Sequence, residues 1–291
     1  MKIFILQANK RFRPKNQPWK YPQHSKDYGV EQDFLEFLQK HPEYIVGNPE
    51  EADWHYIPFY WTRWHLNHDY GKTGLIDLQN EINSIILDDR KTFTVCQYDD
   101  GPIVDLGSTR IFLSSRKTSN GIDIPLLCSP HRLPFFKPSI KYLASFIGRS
   151  STYSLRNEML NEVKKRNDVF IFDGDKGTDF FVRKTLQSKI ALCPRGYGGS
   201  SFRFFEAMQL GVVPFLIGDI DTRPFKNYID WDAISFYLPT VEGINTILDS
   251  VDEKKLRQMG QQASRIWAKE LTFQQWCKYV NMELDTIKRA R

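Results

Sequence analysis

The stretch ALCPRGYGGSSFRFFEAMQLGVVPFLIGD, residues 191–219, decides the fold of the second half of this chain. An apolar strand leads into a glycine-rich turn, a helix follows over 200–211, and a second apolar strand follows over 212–219. Ser200 stands where a residue would cap the start of the helix, and Gly211 stands where a residue would end it. Strand, helix and strand in immediate succession are typical of a parallel α/β sheet.

The turn in this stretch combines groups that bind phosphate. The free N–H groups and the dipole at a helix start attract anions, and Arg195 and Arg203 can add charge-assisted hydrogen bonds. Ser200 and Ser201 supply hydroxyl groups, and Glu206 lies one turn after Arg203, where a carboxylate could accept both hydroxyls of a ribose. Arg203 and Glu206 could equally form an ordinary i,i+3 ion pair. The loop matches neither standard nucleotide fingerprint, GxxxxGK[ST] or GxGxxG.

Strands and helices alternate along the rest of the chain, with a predicted loop over 11–29. The predicted strands are 2–6, 53–60, 92–98, 110–115, 141–149, 168–174, 190–196, 212–219 and 234–239. The predicted helices are 30–41, 74–89, 153–166, 180–189, 200–211, 241–270 with an interruption near Asp252, and 272–289. This alternation predicts the α/β class, with a ligand site at the carboxyl ends of parallel strands.

The pattern restarts after residue 138, which predicts two Rossmann-like domains. We expect an N-terminal domain over 1–135 and a C-terminal domain over 136–270. A C-terminal helix over 271–291 is expected to pack back on the first domain.

Composition narrows the class of protein. The chain has 291 residues, of which 41% are apolar and 26% charged, and this is normal for a folded globular protein. Its net charge of +5 is mild, so nucleic-acid binding is the weaker alternative. The four cysteines show no paired spacing that would suggest zinc or disulfides. No apolar run is long enough to span a bilayer or form a signal-peptide core, so we expect a soluble cytoplasmic protein.

Several segments resemble the exostosin-like glycosyltransferases, the family 47 type, and in particular a short soluble bacterial or viral member. The quoted stretch and the following RPFKNYIDWDAISFYLP (223–239) carry most of the similarity. Further similar segments are GNPEEADWHYIPFY (47–60), GIDIPLL (121–127) and SFIGR (145–149). The resemblance is densest over 141–240.

The resemblance implies a GT-B architecture, in which two Rossmann-like domains face each other across a cleft. It implies an inverting, metal-independent transfer from a UDP-sugar to a glycan acceptor, with no cofactor besides the donor. Xylose is the favoured sugar, and glucuronate and galactose are alternatives. Carried over residue by residue, the donor site comprises Gly148, Arg149, Arg195, Gly196, Tyr197, Ser200, Ser201, Arg203 and Glu206, of which Glu206 holds the ribose. A catalytically inactive relative that binds a glycan or nucleotide is the alternative function.

Inverting transfer needs a base for the acceptor hydroxyl. Two segments that follow strands offer carboxylates, and the leading candidates are Asp69 and Asp100. Weaker candidates are Asp99, His65 and His68. The aromatic rings expected to stack on the acceptor are Tyr60, Trp61, Trp64 and Tyr98, and His65 is expected to contact the acceptor beside them. The DGD sequence at 173–175 could hold a metal in a single-domain enzyme, but here we interpret it as a turn.

Overall fold

The computed structural model describes residues 1–16, 29–126, 128 and 130–290. Most of the predicted loop over 11–29 lies outside the described residues, as do Leu127 of the 121–127 segment and Arg291 of the C-terminal helix. Within the described part of the chain, no helix has the length and apolar character needed to cross a membrane.

The chain divides into two compact units. The first unit consists of Met1–Arg116, Asn120–Ile124 and Phe273–Arg291, and the second unit consists of Lys117–Ser119 and Pro125–Thr272. Residues 125–135, predicted to close the first domain, therefore belong to the second unit. The C-terminal helix belongs to the first unit.

The first unit is built on a five-stranded parallel sheet. Its strands are β1 (Ile3–Ile5), β2 (Trp54–Tyr56), β3 (Thr92–Cys96), β4 (Arg110–Leu113) and β5 (Ile122–Asp123). Its helices are α1 (Val30–Lys40), α2 (Trp61–Asn67), α3 (Leu75–Ile85) and α9 (Phe273–Arg289). The strands stand in the sheet in the same order as in the chain, so the described part of this sheet contains no reversal of strand order.

Aromatic side chains fill the core of the first unit. Phe34 on α1 lies against Trp276 on α9, with ring centroids 6.1 Å apart. The indole N–H of Trp54 on β2 donates to the carbonyl oxygen of Leu284 at 3.2 Å, although both groups are buried. This bond fixes α9 on the sheet because a buried indole N–H needs an acceptor.

The second unit also has a five-stranded parallel sheet. Its strands are β6 (Tyr142–Gly148), β7 (Val169–Asp173), β8 (Ser188–Pro194), β9 (Val213–Ile217) and β10 (Phe236–Leu238). Its helices are α4 (Ser154–Val163), α5 (Thr178–Leu186), α6 (Phe202–Leu210), α7 (Ile244–Ser250) and α8 (Glu253–Glu270). The predicted α/β class with two parallel sheets is thus confirmed.

The strand order of the second sheet is β10-β9-β8-β6-β7. From β6 the chain moves outward to β7, then returns to the other side of β6 for β8 and continues to β9 and β10. The order of connection therefore reverses between β6 and β8. In open parallel sheets, ligands bind at the carboxyl ends of the strands beside such a reversal. The carboxyl ends in question are Gly148 and Pro194.

Two elements were absent from the sequence prediction, and one cap was wrong. Helix α2 has only seven residues, rich in aromatic side chains whose helix propensity is modest, and β5 has two residues. Helix α6 begins one residue later than expected, so its N-cap is Ser201 rather than Ser200, and the Ser201 side chain makes no capping hydrogen bond. Gly211 ends the helix in the left-handed conformation, with φ of 70°, as predicted.

Candidate functional site

The carboxyl ends of β6 and β8 are joined by one arginine that the sequence prediction missed. Arg156, on α4, donates from Nη1 to the carbonyl oxygen of Arg149 at 2.9 Å. It also donates from Nε to the carbonyl of Arg195 at 3.1 Å and from Nη2 to that of Pro194 at 3.3 Å. One rigid guanidinium therefore fixes the two loops that follow β6 and β8 relative to each other.

Gly196 leaves room for this arginine. A Cβ atom at Gly196 would lie 3.1 Å from Nη2 of Arg156 and 3.6 Å from Cγ2 of Thr152. The first distance is shorter than ordinary van der Waals contact between a carbon and a nitrogen. A side chain at position 196 would therefore press on the Arg156 guanidinium.

Arg195 is buried and uses its guanidinium within the loop. Its Nε donates to the carbonyl of Gly198 at 3.2 Å, and its Nη1 bonds the carboxylate of Asp219, which follows β9. The guanidinium also lies over the ring of Tyr153, 4.6 Å from the centroid. Arg195 therefore holds the glycine-rich turn against the end of the next strand, and its charge is balanced by Asp219.

Arg203 lies in the first turn of α6 and reaches back to the end of β6. Its Nε donates to the carbonyl of Ile147 at 3.1 Å, and its guanidinium covers the Phe181 ring at 4.2 Å. Its Nη1 contacts Oε2 of Glu206 at 2.5 Å, so the ordinary i,i+3 ion pair is present. The Arg203 side chain is still one quarter exposed, whereas the Glu206 side chain is completely buried.

The second oxygen of Glu206 also has a partner. Oε1 of Glu206 lies 3.0 Å from Nε2 of His131, and the backbone N–H of His131 donates to Gln209 at 2.7 Å. His131 comes from the segment that precedes β6, and the sequence prediction missed it. Both carboxylate oxygens of Glu206 are therefore bonded inside the protein.

The remaining predicted donor residues surround the start of α6. Ser200 and Ser201 are buried, and in the first turn of α6 the backbone N–H of Phe204 donates to the carbonyl of Ser201 at 3.1 Å. The Tyr197 side chain is 59% exposed. The ammonium group of Lys117 lies 3.2 Å from the Tyr197 ring centroid, which places a second cation at the glycine-rich turn.

The DGD carboxylates brace turns. Asp173 accepts hydrogen bonds from the backbone N–H of Ser150 at 2.7 Å and from its hydroxyl at 2.5 Å, and these bonds lower the pKa of Asp173. Asp175 accepts the N–H of Gly177 at 2.8 Å, and one of its oxygens lies 3.9 Å from the exposed guanidinium of Arg149. These bonds match the interpretation of DGD as a turn that supports the loop after β6.

In the first unit, the loops that carry the two leading base candidates touch each other. Asp69 and Tyr70 both adopt left-handed backbone conformations, with φ of 50° and 58°. The Tyr98 hydroxyl donates to the carbonyl of Tyr70 at 3.2 Å and so links the loop of Asp69 to the loop that contains Asp100. Asp69 has an exposed carboxylate that lies 3.6 Å from Lys72 Nζ, and Asp100 is exposed.

The rings expected to stack on an acceptor are mostly core residues, which corrects that expectation. Trp61 and His65 have no exposed surface, and Trp64 has almost none. The Trp61 indole N–H donates to Thr94 at 2.8 Å, and the face of Trp64 is covered by His68 at a centroid distance of 3.9 Å. A sugar cannot reach these faces in this arrangement. Tyr60 and Tyr98 are half-buried.

A buried carboxylate nearby was not anticipated. Oε1 of Glu31, at the start of α1, accepts from the N–H and hydroxyl of Thr62 at 3.2 and 2.7 Å and from the N–H of Gln97 at 3.0 Å. Its other oxygen has no hydrogen-bond partner among the residues that the structure describes, and burial raises the pKa of Glu31. Glu31 therefore ties the start of α2 to the end of β3. A glutamate in a first helical turn gives no sequence signal for such a role.

Sequence comparisons with known proteins match the part of the chain that contains this site. Residues 114–251, which include all of β6 to β9, match the family described as Exostosin GT47 domain. The Exostosin-1 homolog of Caenorhabditis elegans is 26% identical over 152 residues, which cover 44% of this chain and 40% of the worm protein.

Two plant proteins are similar over a shorter region. A probable β-1,4-xylosyltransferase of Arabidopsis thaliana is 32% identical over 90 residues, and a probable glucuronosyltransferase of Oryza sativa is 32% identical over 89 residues. Each match covers 30% of this chain and 21% of the plant protein. The matched region therefore spans less than half of the length of each of these relatives. Residues 114–251 match the exostosin GT47 domain, and this match together with the similarity to the worm protein supports an exostosin-like glycosyltransferase.

Proposed function

We propose that this protein transfers a sugar from a UDP-sugar to a hydroxyl group of a glycan, with inversion at the anomeric carbon. The observation that carries the proposal is the reversal of strand order between β6 and β8. Arg203 and the start of α6 lie beside this reversal, and the residues concerned belong to the GT47 match. A helix that starts at the carboxyl ends of these strands supports a nucleotide site there.

The diphosphate is proposed to bind at the start of α6. The positive end of the α6 dipole and the hydroxyls of Ser200 and Ser201 would attract its oxygens, and Arg203 and Lys117 would supply positive charge. Gly148 and Arg149 would approach from the end of β6, while Tyr197 and Gly196 complete the turn. Arg195 contributes by holding the turn in place, since its guanidinium is bonded to Asp219.

Glu206 is proposed to accept the hydroxyls of the ribose. Its carboxylate is bonded to Arg203 and to His131, so one of these bonds has to be exchanged for the ribose. His131 is the partner that can leave, because Arg203 lies on the same helix one turn away. Ribose binding would then release His131 from Glu206.

In the proposed reaction the acceptor oxygen attacks the anomeric carbon as the bond to the diphosphate oxygen breaks. The electron pair of that bond leaves with UDP, where the cations and helix N–H groups stabilise it. The proton of the acceptor hydroxyl passes to a carboxylate, for which Asp69 and Asp100 remain the proposed candidates. No step in this scheme requires a metal ion or another cofactor.

Xylose remains the favoured sugar because one plant relative is named a probable β-1,4-xylosyltransferase. Glucuronate is the first alternative because another is named a probable glucuronosyltransferase. Galactose is a further alternative. An inactive relative that binds the nucleotide without transfer is the second candidate function, and two observations favour it: both oxygens of Glu206 are already bonded, and the expected stacking rings are buried.

Calorimetry with UDP tests the donor site. We expect the full chain to bind UDP and the Arg203→Ala variant to lose most of that affinity, whereas Arg183→Ala, which changes an exposed arginine on α5, should bind normally. Failure of the unaltered chain to bind UDP would overturn the proposal.

Release of UDP from a panel of UDP-sugars then separates an enzyme from an inactive relative. An enzyme should hydrolyse one sugar nucleotide slowly without acceptor. Asp69→Asn or Asp100→Asn should keep UDP affinity and slow turnover by roughly 10²–10⁴-fold in the variant that lacks the base. UDP binding without release from any donor would favour the inactive relative.

A further inference from the structure

The segment before β6 exposes an unusual amount of apolar surface. Within residues 130–141, PHRLPFFKPSIK, the side chains of Phe135 and Phe136 are 94% and 82% exposed, and those of Leu133 and Ile140 are 59% and 47% exposed. The two phenylalanine rings pack edge to face against each other, with centroids 4.8 Å apart. Single exposed apolar side chains are common, but a contiguous group such as this one marks a contact surface.

The same segment is purely basic. Arg132, Lys137 and Lys141 are exposed, and residues 130–141 contain no aspartate or glutamate. Three prolines, at 130, 134 and 138, prevent the segment from forming a regular helix. Exposed aromatic and aliphatic side chains between cations are the combination that binds the interface of an anionic membrane.

A cavity of about 430 Å³ continues this surface. Residues 137–140 form one wall, and Leu186, Val212 and Leu256 give it an apolar lining. Arg257 adds positive charge, whereas Lys189 is paired with Glu253 of the same lining. The cavity opens beside the first residues of β8 and β9. It therefore lies at the amino ends of these strands, whereas the proposed donor site lies at the carboxyl ends. A lipid bound here would not compete with a nucleotide.

We propose that residues 130–141 bind this protein to the surface of an anionic membrane. Phe135, Phe136 and Leu133 would insert at the level of the lipid headgroups, and the three cations would contact anionic headgroups. The attraction should weaken as salt is added, because screening shortens the reach of the surface potential.

Charge argues for a membrane over a second copy of the chain. A twofold contact places the same surface on both partners. Two copies that met through this segment would bring six cations together without any acidic residue of the segment to balance them. An anionic lipid surface has the complementary charge.

Sedimentation with vesicles tests the proposal on the full chain. We expect little binding to pure phosphatidylcholine and at least about tenfold more to phosphatidylcholine with phosphatidylglycerol at three to one. The Phe135→Ser/Phe136→Ser double variant should lose most of this binding, and Lys137→Glu/Lys141→Glu should lose the preference for the anionic lipid. Ile76→Ser is the matched control, because it removes a 79% exposed apolar side chain elsewhere and should bind like the unaltered chain.

Equal binding of the unaltered chain and the Phe135→Ser/Phe136→Ser variant would overturn the proposal, as would equal binding to the two kinds of vesicle. Light scattering gives the competing outcome. A dimer of the unaltered chain that the phenylalanine variant converts to monomer, with no vesicle binding by either, would assign the segment to self-association. None of these measurements depends on transferase activity.

Discussion

Arg156 donates a hydrogen bond of 2.9 Å to the main-chain carbonyl of Arg149, seven residues earlier in the chain. The same guanidinium holds the carbonyls of Pro194 and Arg195, so one side chain on α4 connects the ends of two strands that are separated by about fifty residues of sequence. The proposed diphosphate site lies between those ends. Its shape therefore depends on a residue that need not touch the nucleotide.

Replacement of Arg156 by lysine should weaken UDP binding by about tenfold, because an ammonium group cannot reach three carbonyls in one plane. Calorimetry with UDP measures the loss, and thermal unfolding shows whether the fold survives. Arg183→Lys, on the exposed face of α5, serves as the control and should leave the affinity unchanged. An unaltered UDP affinity in a folded Arg156→Lys variant would contradict this role.

Gly196→Ala should also lower UDP affinity, since the new methyl group would stand 3.1 Å from Nη2 of Arg156 and push the guanidinium aside. We expect a loss of several-fold with a modest fall in melting temperature. Gly47→Ala is the matched control, because a Cβ atom there meets nothing within 4 Å. If both alanine variants bound UDP equally well, the close approach of Arg156 would have no bearing on the site.

Lys117→Ala should weaken the binding of UDP more than that of uridine, because the ammonium group beside Tyr197 is proposed to act on the phosphates. We expect about a tenfold loss for UDP at low salt and a smaller loss at high salt. Lys176→Ala removes a cation that also lies over an aromatic ring, 4.9 Å from the Phe172 centroid, and should have little effect. An equal loss for uridine and UDP would argue against a phosphate contact.

Acid should destabilise the first unit through His65. Burial lowers the pKa of His65 to about 4, below its ordinary value of 6.5. As the pH falls through this window, the unfolded chain takes up a proton that the folded chain cannot, so the free energy of unfolding falls, by at most about 3 kcal/mol. His65→Leu should remove this part of the pH dependence in chemical denaturation between pH 7 and pH 4. Parallel curves for the two proteins would show that His65 is not the group responsible.

Ionisation of Glu31 should change the free energy of unfolding in the opposite direction, so that stability falls as the pH rises. Burial raises the pKa of Glu31 above 4.5, so the folded chain holds this proton more tightly than the unfolded chain does. Its stabilising effect is complete below pH 4.5 and is lost as the pH rises through the higher folded value. Glu31→Gln keeps an oxygen for the donors of Thr62 and Gln97, so its stability relative to the unaltered chain should increase with pH. A difference that did not change with pH would contradict the shift.

Local patterns were enough to predict most of the secondary structure. Apolar periodicity placed nearly every strand and long helix, and Asp252 marked a true boundary, since its side chain caps α8 by accepting the N–H of Lys255 at 2.8 Å. Helix α2 escaped because seven residues do not display a helical period.

Burial could not be predicted in the same way. Trp61 and Trp64 follow a strand and resemble the rings of a sugar site, yet both face the core formed with Phe12 and Phe59. The same limit applies to Arg156, His131 and Glu31, because each has at least one partner that lies more than thirty residues away in sequence. Their roles arise from tertiary contacts that no local pattern records.

If residues 130–141 rest on a membrane as proposed, the length of β6 sets the distance between the lipid surface and the proposed nucleotide site. Strand β6 has seven residues from Tyr142 to Gly148, and a strand of that length spans roughly 23 Å. If the amino ends of the strands rest on the lipid headgroups and β6 runs perpendicular to the membrane, the nucleotide would lie roughly 23 Å from the bilayer. An acceptor anchored in the same membrane would then need a chain or spacer long enough to cover this distance, whereas a short glycolipid would fall below the reacting carbon.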